Sequence, residues 1–403
     1  MRPQQLLQAW DCGLVVPLAA AAQQVELAAA FGPAGPAGVL EQLQGWGPGV
    51  LVGSGGSSGR RRWCLQPLSH LQASAAATGT WLAAQGIEPA ACLHLNPLPL
   101  HHVSGLLPLV RSRQWGCGVQ QVEPALLRQP EVVAAALPLP SDRPVLLSLV
   151  PTQLQRLMAT PAGLAWLRQM AVIWLGGAPL PASLAGRARS AGLRLAPCYG
   201  ATETAAMVCA LAPDLFLAGV SGCGQPLVDV ELQIEAASGA IAVRASRLSP
   251  GWLEAGQLQP LPRNGAGWWC SGDGGELGPD GLLVRGRLDG AIHSGAETVF
   301  PEELEERLLA AAALAGLPLQ ALLLLPVNDP EWGQRLVALV RPHSGADPEA
   351  LLANLAACSQ AWPPAERPQR WVVCGQLAPT ADGKWQRQCW QQWLASLKAR
   401  PMG

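Results

Sequence analysis

Val145-Leu146-Leu147-Ser148-Leu149-Val150-Pro151-Thr152-Gln153-Leu154-Gln155-Arg156-Leu157-Met158 changes period at its proline. Before Pro151 the chain is an apolar run of strand length. After it, Leu154, Leu157 and Met158 share one helical face. Proline needs no donor at a first helical position, so one element ends and the next begins there. The exchange recurs downstream. Residues 171–175 read as a strand ending in Gly176-Gly177, Pro181 starts a helix, and Leu193-Arg194-Leu195 is the next strand. Short apolar strands alternating with helices predict a parallel α/β sheet covered by helices.

The pattern extends from this stretch in both directions. Residues 50–52 form a short strand entering a glycine-rich loop, residues 34–49 read as a Gly/Pro-rich connector, and residues 19–30 read as a helix. Over residues 220–287 turns crowd together, and Gly278-Pro279-Asp280-Gly281 predicts a β-hairpin in a small β-rich subdomain. Past Asp289 the pattern restarts. Pro301-Glu302-Glu303-Leu304 opens a helix, with proline at its first position and acids in its first turn. Strands are expected at 321–325, 336–340 and 371–373, with helices at 348–357 and after Lys384. The expected organisation is a large α/β domain over residues 1–288 and a small mobile α+β domain over 289–403.

Composition narrows the classes. The chain of 403 residues is 49% hydrophobic and 14% charged, with a formal net charge of -1. That balance gives no footprint for nucleic acid and no basic face for a membrane surface. No apolar run is long enough to span a bilayer, and the N-terminus lacks the pattern of a signal peptide. The 11 cysteines are scattered singly, without zinc-site spacing. Free, buried thiols and a cytoplasmic location are expected. The sequence leaves a homo-oligomer open.

Gly53-Ser54-Gly55-Gly56-Ser57-Ser58-Gly59-Arg60-Arg61-Arg62 follows a strand. Glycines free successive N–H groups to point inward, serines add hydroxyl donors and the arginines add charge, which suits a polyphosphate. A Walker loop is excluded, because no Gly-Lys-Ser/Thr closes it. Gly55-Gly56-Ser57-Ser58-Gly59 also matches the G-x-S-x-G elbow of α/β-hydrolases, and a plain flexible loop is the third reading.

Four further segments follow in order: Cys198-Tyr199-Gly200-Ala201-Thr202-Glu203-Thr204; Ser271-Gly272-Asp273; Gly286-Arg287-Leu288-Asp289 with residues 292–305; and Pro379-Thr380-Ala381-Asp382-Gly383-Lys384-Trp385-Gln386-Arg387. Together with the glycine-rich loop they resemble the adenylate-forming family of acyl-CoA synthetases, luciferases and peptide-synthetase adenylation domains, from about residue 50 to 387. The resemblance implies ATP and coenzyme A as co-substrates, a small carboxylic acid as substrate and Mg²⁺ as cofactor. It implies that Ser54, Gly55, Gly56, Ser57, Ser58, Gly59 and Arg62 hold the β- and γ-phosphates, with Arg62 where relatives carry lysine. Tyr199 and Gly200 would lie at the adenine, Thr202 at the α-phosphate, Glu203 at Mg²⁺, and Asp273 at the ribose with Arg287 nearby. Asp289 would be the hinge, and Ser294, Gly295 and Glu297 would face coenzyme A. Lys384, one of only two lysines, matches the catalytic lysine, whose narrow ammonium would bridge the substrate carboxylate and the α-phosphate.

Pro99-Leu100-His101-His102-Val103-Ser104-Gly105-Leu106 and Ser148-Leu149-Val150-Pro151-Thr152-Gln153-Leu154-Gln155-Arg156 resemble segments of o-succinylbenzoate–CoA ligases of menaquinone and phylloquinone synthesis. That implies an aromatic dicarboxylic acid, with one carboxylate activated and the other held. Arg156 suits the spare carboxylate, His102 and Ser104 would line the acyl pocket, and Gly177 would leave it room. Surface or packing roles for Arg156 and His102 stay open. So do another acid–CoA ligase, a standalone adenylating enzyme and a non-catalytic nucleotide-binding relative.

Overall fold

The computed structural model describes residues 1–54, 61–295, 297–379 and 385–398. The chain divides into two compact units, Met1–Leu180 with Leu184–Val284, and Arg285–Gly403 with Pro181–Ser183.

In the large unit a six-stranded sheet runs in the order Gly118–Gln121, Leu93–Asn96, Val145–Leu149, Val172–Leu175, Leu195–Ala201, Ala206–Ala210. The first five strands are parallel and the last is antiparallel to its neighbour. The reason for the apolar runs is visible in which side each residue buries. Leu147, Leu149, Ile173 and Leu175 pack with Leu154, Leu157, Trp166 and Leu184 from three helices, Pro151–Leu157, Pro161–Leu167 and Ala182–Ser190. Leu146, Val172 and Trp174 alternate to the opposite face, against Ala77 and Leu82 of the helix Leu68–Ala83. A sheet covered on both faces needs apolar residues at every strand position.

A second sheet of the large unit is mixed rather than parallel. Its order is Val15–Leu18, Gly49–Ser54, Arg62–Pro67, Gly251–Glu254, Gln257–Pro260, with only the first pair parallel. Residues 34–49 correct the sequence reading. They hold the helix Gly35–Leu43, not a connector, because Val39 and Leu43 bury against Leu51, Trp63 and Leu65. A four-stranded sheet of Val230–Ile234, Ala240–Ala245, Trp269–Gly278 and Gly281–Arg287 carries the expected hairpin. Gly281, at φ +104°, is required there, since a Cβ would lie 2.0 Å from the Gly224 carbonyl oxygen.

In the second unit the strands Leu319–Asp329 and Gly333–Pro342 form a long antiparallel pair, with Pro368–Val373 parallel to the latter. Leu322 and Leu324 face the helices Pro301–Leu314 and Pro348–Ser359, while Leu323 and Leu325 face Leu394 of the helix Arg387–Lys398. Glu305 is buried and meets Arg387 through both carboxylate oxygens, at 2.9 and 2.8 Å. Among the described residues no helix is long and apolar enough to cross a membrane. Cys64, Cys92, Cys209 and Cys374 are buried free thiols as expected, but Cys12, Cys270 and Cys389 are exposed.

The acidic start of the helix Pro301–Leu314 has a consequence for pH. Partial burial, then the charges of Glu303, Glu305 and Glu302, push the Glu306 carboxyl up to about 7. Its folded pKa is above its unfolded value of 4.5, so its contribution to stability is full below about pH 4.5 and is lost as the pH rises through about 7. Glu306→Gln is expected to stabilise the protein by about 1–2 kcal/mol at pH 8, after allowance for solvent screening, and to give no gain at pH 4.5. Thermal midpoints at the two pH values check this.

Candidate active site

The parallel sheet decides where functional side chains collect. Asn96, Leu149, Leu175 and Ala201 are the carboxyl ends of four parallel or near-parallel strands, so all four ends lie along one edge. The strand order reverses beside Leu93–Asn96, because Gly118–Gln121 pairs on one side of it and Val145–Leu149 on the other. Open α/β sheets bind ligands at such a switch point. His102 and Ser104 follow the first of these strands. Gly177, at φ +80°, follows the third, and Tyr199 through Glu203 end the fourth. His102 precedes the helix Val103–Trp115 as its N-cap, with its ring 4.5 Å from that of His101, and Ser104 is exposed in the first turn. Arg156 is exposed on the helix Pro151–Leu157.

Residues 55–60 of the glycine-rich loop lie outside the described residues, but the base of the loop is defined. Ser54 and Arg62 are cross-strand partners of two antiparallel strands. A hydrolase elbow joins a strand to a helix. The strand-to-strand connection removes that reading.

Two groups that the sequence reading treated separately, Arg62 and Glu203, are joined here through a third. The Arg62 guanidinium lies 4.5 Å over the Trp252 ring, and the Trp252 Nε1–H donates to Glu203 Oε1 at 2.9 Å. Trp252 thus ties the end of the glycine-rich loop to the Thr-Glu segment. No sequence signal marked it, because its partners are remote in the chain. Glu203 is buried, with one oxygen engaged by the indole. Gln66 Nε2 donates to the Thr202 carbonyl at 2.6 Å, and the Ser249 N–H donates to the Glu203 carbonyl at 2.7 Å.

Tyr199 and Asp273 also meet directly. The phenol donates to Asp273 Oδ2 at 2.7 Å and lies 3.1 Å from Ser271 Oγ, while the Asp273 N–H donates to Ser271 Oγ at 3.1 Å. Burial, and then the Asp273 charge, push the phenol pKa well above its usual value. It stays a protonated donor through the neutral range. This contact joins the six-stranded sheet to the four-stranded one.

The second unit holds the other predicted residues. Arg287 Nε is 3.2 Å from Asp289 Oδ1, in a half-exposed pair. Ser294 is buried, Glu297 is exposed, and the Gly295 N–H donates to the Trp332 carbonyl at 2.8 Å. Lys384 lies outside the described residues.

A buried cation was missed by the sequence reading. Arg111 is 4% exposed on the inner face of Val103–Trp115, with its guanidinium 4.6 Å over the Trp174 ring. His94 stacks on the other residues of this cluster, 6.0 Å from Trp174 and 5.2 Å from Trp115. Among the described residues no carboxylate pairs with Arg111. Its Nη2 reaches Thr78 Oγ1 at 3.5 Å, and its Nε is without a partner, as are His94 Nε2, Trp174 Nε1 and Ser74 Oγ. Burial lowers the Arg111 pKa to about 10 and, with the Arg111 charge, lowers that of His94 to about 3. Arg111 therefore stays charged and His94 neutral. The cluster therefore holds a buried cation without a counter-charge among the described residues, and buried polar atoms without partners, an arrangement that an anion would satisfy. An arginine ending the run Leu106-Leu107-Pro108-Leu109-Val110 was the available signal.

A family model described as "AMP-binding enzyme" matches residues 48–247. A probable 2-succinylbenzoate–CoA ligase of Mycobacterium tuberculosis is 30% identical over 324 residues, covering 76% of this chain and 75% of that protein. The chain belongs to the AMP-binding, adenylate-forming enzyme family. The 2-succinylbenzoate–CoA ligase of Salmonella typhimurium is 35% identical over 251 residues, covering 61% of this chain; the match spans only 50% of that relative's length. Among solved structures, E. coli MenE with a bound phenylether-linked analogue of OSB-AMS superposes with a TM-score of 0.62 at 27% identity, covering 86% of this chain and 69% of that one.

Replacing an uncompensated buried cation by an apolar side chain of similar length is neutral or stabilising. Arg111→Met is expected to leave stability unchanged or raise it by about 1–4 kcal/mol. Urea denaturation checks this, and a loss above about 2 kcal/mol would mean that Arg111 is a structural residue.

Proposed function

We propose that this chain is an AMP-forming acid–CoA ligase that activates an aromatic acid with a second carboxylate, of the o-succinylbenzoate type, in quinone synthesis in the cytoplasm. The single observation that carries the substrate class is Arg111. It is a buried guanidinium that pairs with no acid among the described residues, over the Trp174 ring of the parallel sheet. A substrate carboxylate would supply the missing counter-charge, and Trp174 and Trp115 would flank an aromatic ring. Arg111 suits that role better than the exposed Arg156. The names of the relatives support the same acid.

The nucleotide reading rests on the Arg62–Trp252–Glu203 chain of contacts and the Tyr199–Asp273 pair. In it Arg62 attracts the terminal phosphates, Tyr199 flanks adenine, and Asp273 accepts from the ribose hydroxyls. Glu203 fits a Mg²⁺ held mainly by substrate phosphates, which takes only one or two carboxylates from a protein, with the Thr202 hydroxyl at the α-phosphate. The bound ion would neutralise phosphate charge. The sequence places Lys384 in a unit that begins near Asp289. We assign it the bridge between the acid and the α-phosphate during adenylation, and Ser294, Gly295 and Glu297 the approach of coenzyme A.

The reaction has two halves. The carboxylate oxygen attacks the α-phosphorus and pyrophosphate leaves, giving the acyl-adenylate. The coenzyme A sulfur then attacks the acyl carbon and AMP leaves. Incubation with ATP, Mg²⁺, coenzyme A and o-succinylbenzoate is expected to release AMP and form a thioester. Benzoate or octanoate should react at least 100-fold less well in kcat/KM. Arg111→Met should abolish that preference by raising KM for the dicarboxylic acid by about 10²–10⁴-fold, the loss expected when breaking a buried charge pair costs about 3–5 kcal/mol. Thioester formation with a monocarboxylic acid alone would redirect the assignment to another acid–CoA ligase.

Lys384→Ala is expected to slow adenylation by at least about 10²–10³-fold, the typical cost of a lost preorganised donor. Thioester formation from supplied acyl-adenylate should remain within about threefold of the parent rate, because the α-phosphate charge no longer builds in that step. Equal loss in both halves would remove the adenylation-specific role.

A further inference from the structure

The turn that presents Thr202 and Glu203 is held in an unfavourable shape. Ala205 and Ala206 have φ of +53° and +75°, and two of the three non-glycine residues with positive φ in the described chain are therefore consecutive and directly follow the Thr-Glu-Thr segment. Both are buried. Left-handed backbone is costly for alanine and persists only where the surroundings over-determine it. Gly200 belongs to the same crowding, since a Cβ there would lie 2.1 Å from the Ala206 carbonyl oxygen.

What over-determines the turn is Arg247. Its side chain is 0% exposed, and its tip meets Asp229 and main-chain carbonyls rather than a predicted ligand side chain. Nη1 donates to the Thr204 carbonyl at 2.6 Å and lies 3.5 Å from that of Ala205, and Nη2 donates to the Met207 carbonyl at 2.9 Å. Nε and Nη2 reach back to the Asp229 carboxylate at 2.6 and 3.3 Å. The planar fork therefore spans the whole left-handed stretch and is itself held by one carboxylate. Thr204 completes the clamp from inside, with its hydroxyl 2.6 Å from the Ala206 carbonyl and accepting from the Ala201 N–H at 2.9 Å.

We propose that Arg247, oriented by Asp229, is a positioning residue that locks Ala205 and Ala206 in the left-handed conformation and thereby fixes Thr202 and Glu203 for the magnesium nucleotide. The inference rests on the nucleotide-site reading above. It goes beyond it by assigning the geometry of that site to two residues that touch neither nucleotide nor metal. Arg247 is fully desolvated and, apart from those to Asp229, its hydrogen bonds go to main-chain carbonyls, so its effect is on the path of the backbone. The Trp252 bond to Glu203 aims the carboxylate within the frame that Arg247 sets.

Arg247→Lys retains the charge but not the fork, since an ammonium cannot span Asp229 and carbonyls three residues apart. Binding of Mg-ATP and of ATP in EDTA is measured by calorimetry on the full chain, with thermal midpoints recorded for every variant. Arg247→Lys is expected to weaken Mg-ATP at least tenfold while metal-free ATP changes less than threefold, and Asp229→Asn to do the same at least threefold. Adding Ala205→Gly and Ala206→Gly to Arg247→Lys should recover at least threefold of the Mg-ATP affinity, because glycine adopts positive φ without penalty. A residue that only fills the core would lower the thermal midpoint, shift both forms of ATP equally and gain nothing from the glycines; that result overturns the proposal. If Arg247→Lys does not fold, the milder Asp229→Asn decides by the same ratio. A parent protein that binds no Mg-ATP would overturn the nucleotide reading and this inference together. A parent that binds it, with variants unchanged, would overturn the inference alone.

Discussion

Taking an ion out of water costs several kcal/mol even after a protein relaxes around it. The large unit is organised by how it meets that cost at Arg111, Glu203 and Arg247, all less than a tenth exposed. Arg247 is compensated within the protein, by Asp229 and by three main-chain carbonyls. Glu203 is compensated in part, by one indole N–H. Arg111 has an aromatic face, a distant hydroxyl and no acid among the described residues. The graded shortfall follows the roles assigned to them. The group with a complete set of partners shapes the backbone, and the incompletely compensated groups are those proposed to meet a cation and an anionic substrate.

The sheet makes that arrangement possible. Parallel strands bring the segments after Asn96, Leu149, Leu175 and Ala201 to one edge, although they are widely separated in the chain. The helix Val103–Trp115 then crosses the face of the same sheet. Its N-terminal residues His102 and Ser104 sit toward the edge, and its later residue Arg111 lies over Trp174. One element so contributes to both the mouth and the wall of the proposed acyl pocket. The mixed sheet has a different task. It clamps Ser54 against Arg62 at the base of the glycine-rich loop and delivers Trp252 from a strand nearly 200 residues later.

The second unit repeats the theme of a buried acid matched to a basic partner. Glu305 accepts from Arg387 through both oxygens and also from the Leu324 N–H at 2.7 Å, and Arg387 returns a bond to the Leu324 carbonyl at 2.9 Å. Arg387 is the last residue of the segment that resembles the catalytic-lysine motif, three positions beyond Lys384. The strand, the helix Pro301–Leu314 and the end of that segment are therefore joined at one point.

Much of this protein was legible in the sequence. Apolar runs that stop at Pro151 or Gly176 define strands, because a sheet buried on both faces accepts little else and proline ends the ladder. The order of the five motifs carried the family and the residues proposed for the nucleotide site, Tyr199, Thr202, Glu203 and Asp273. The helix Gly35–Leu43 was misread because its glycine and proline resemble a linker, whereas Val39 and Leu43 are drawn into a core formed by distant strands. Trp252 and Arg247 were not legible, and Arg111 was marked only by its place at the end of an apolar run. Each acts through a partner far away in sequence, and a lone arginine or tryptophan in a string carries no mark of what it will be buried against. The sequence by itself determined the elements, the family and the candidate nucleotide residues, since those depend on local periodicity and short motifs. Only the tertiary structure decided which charges are left without a counter-charge and which backbone is held in strain, because both depend on long-range packing.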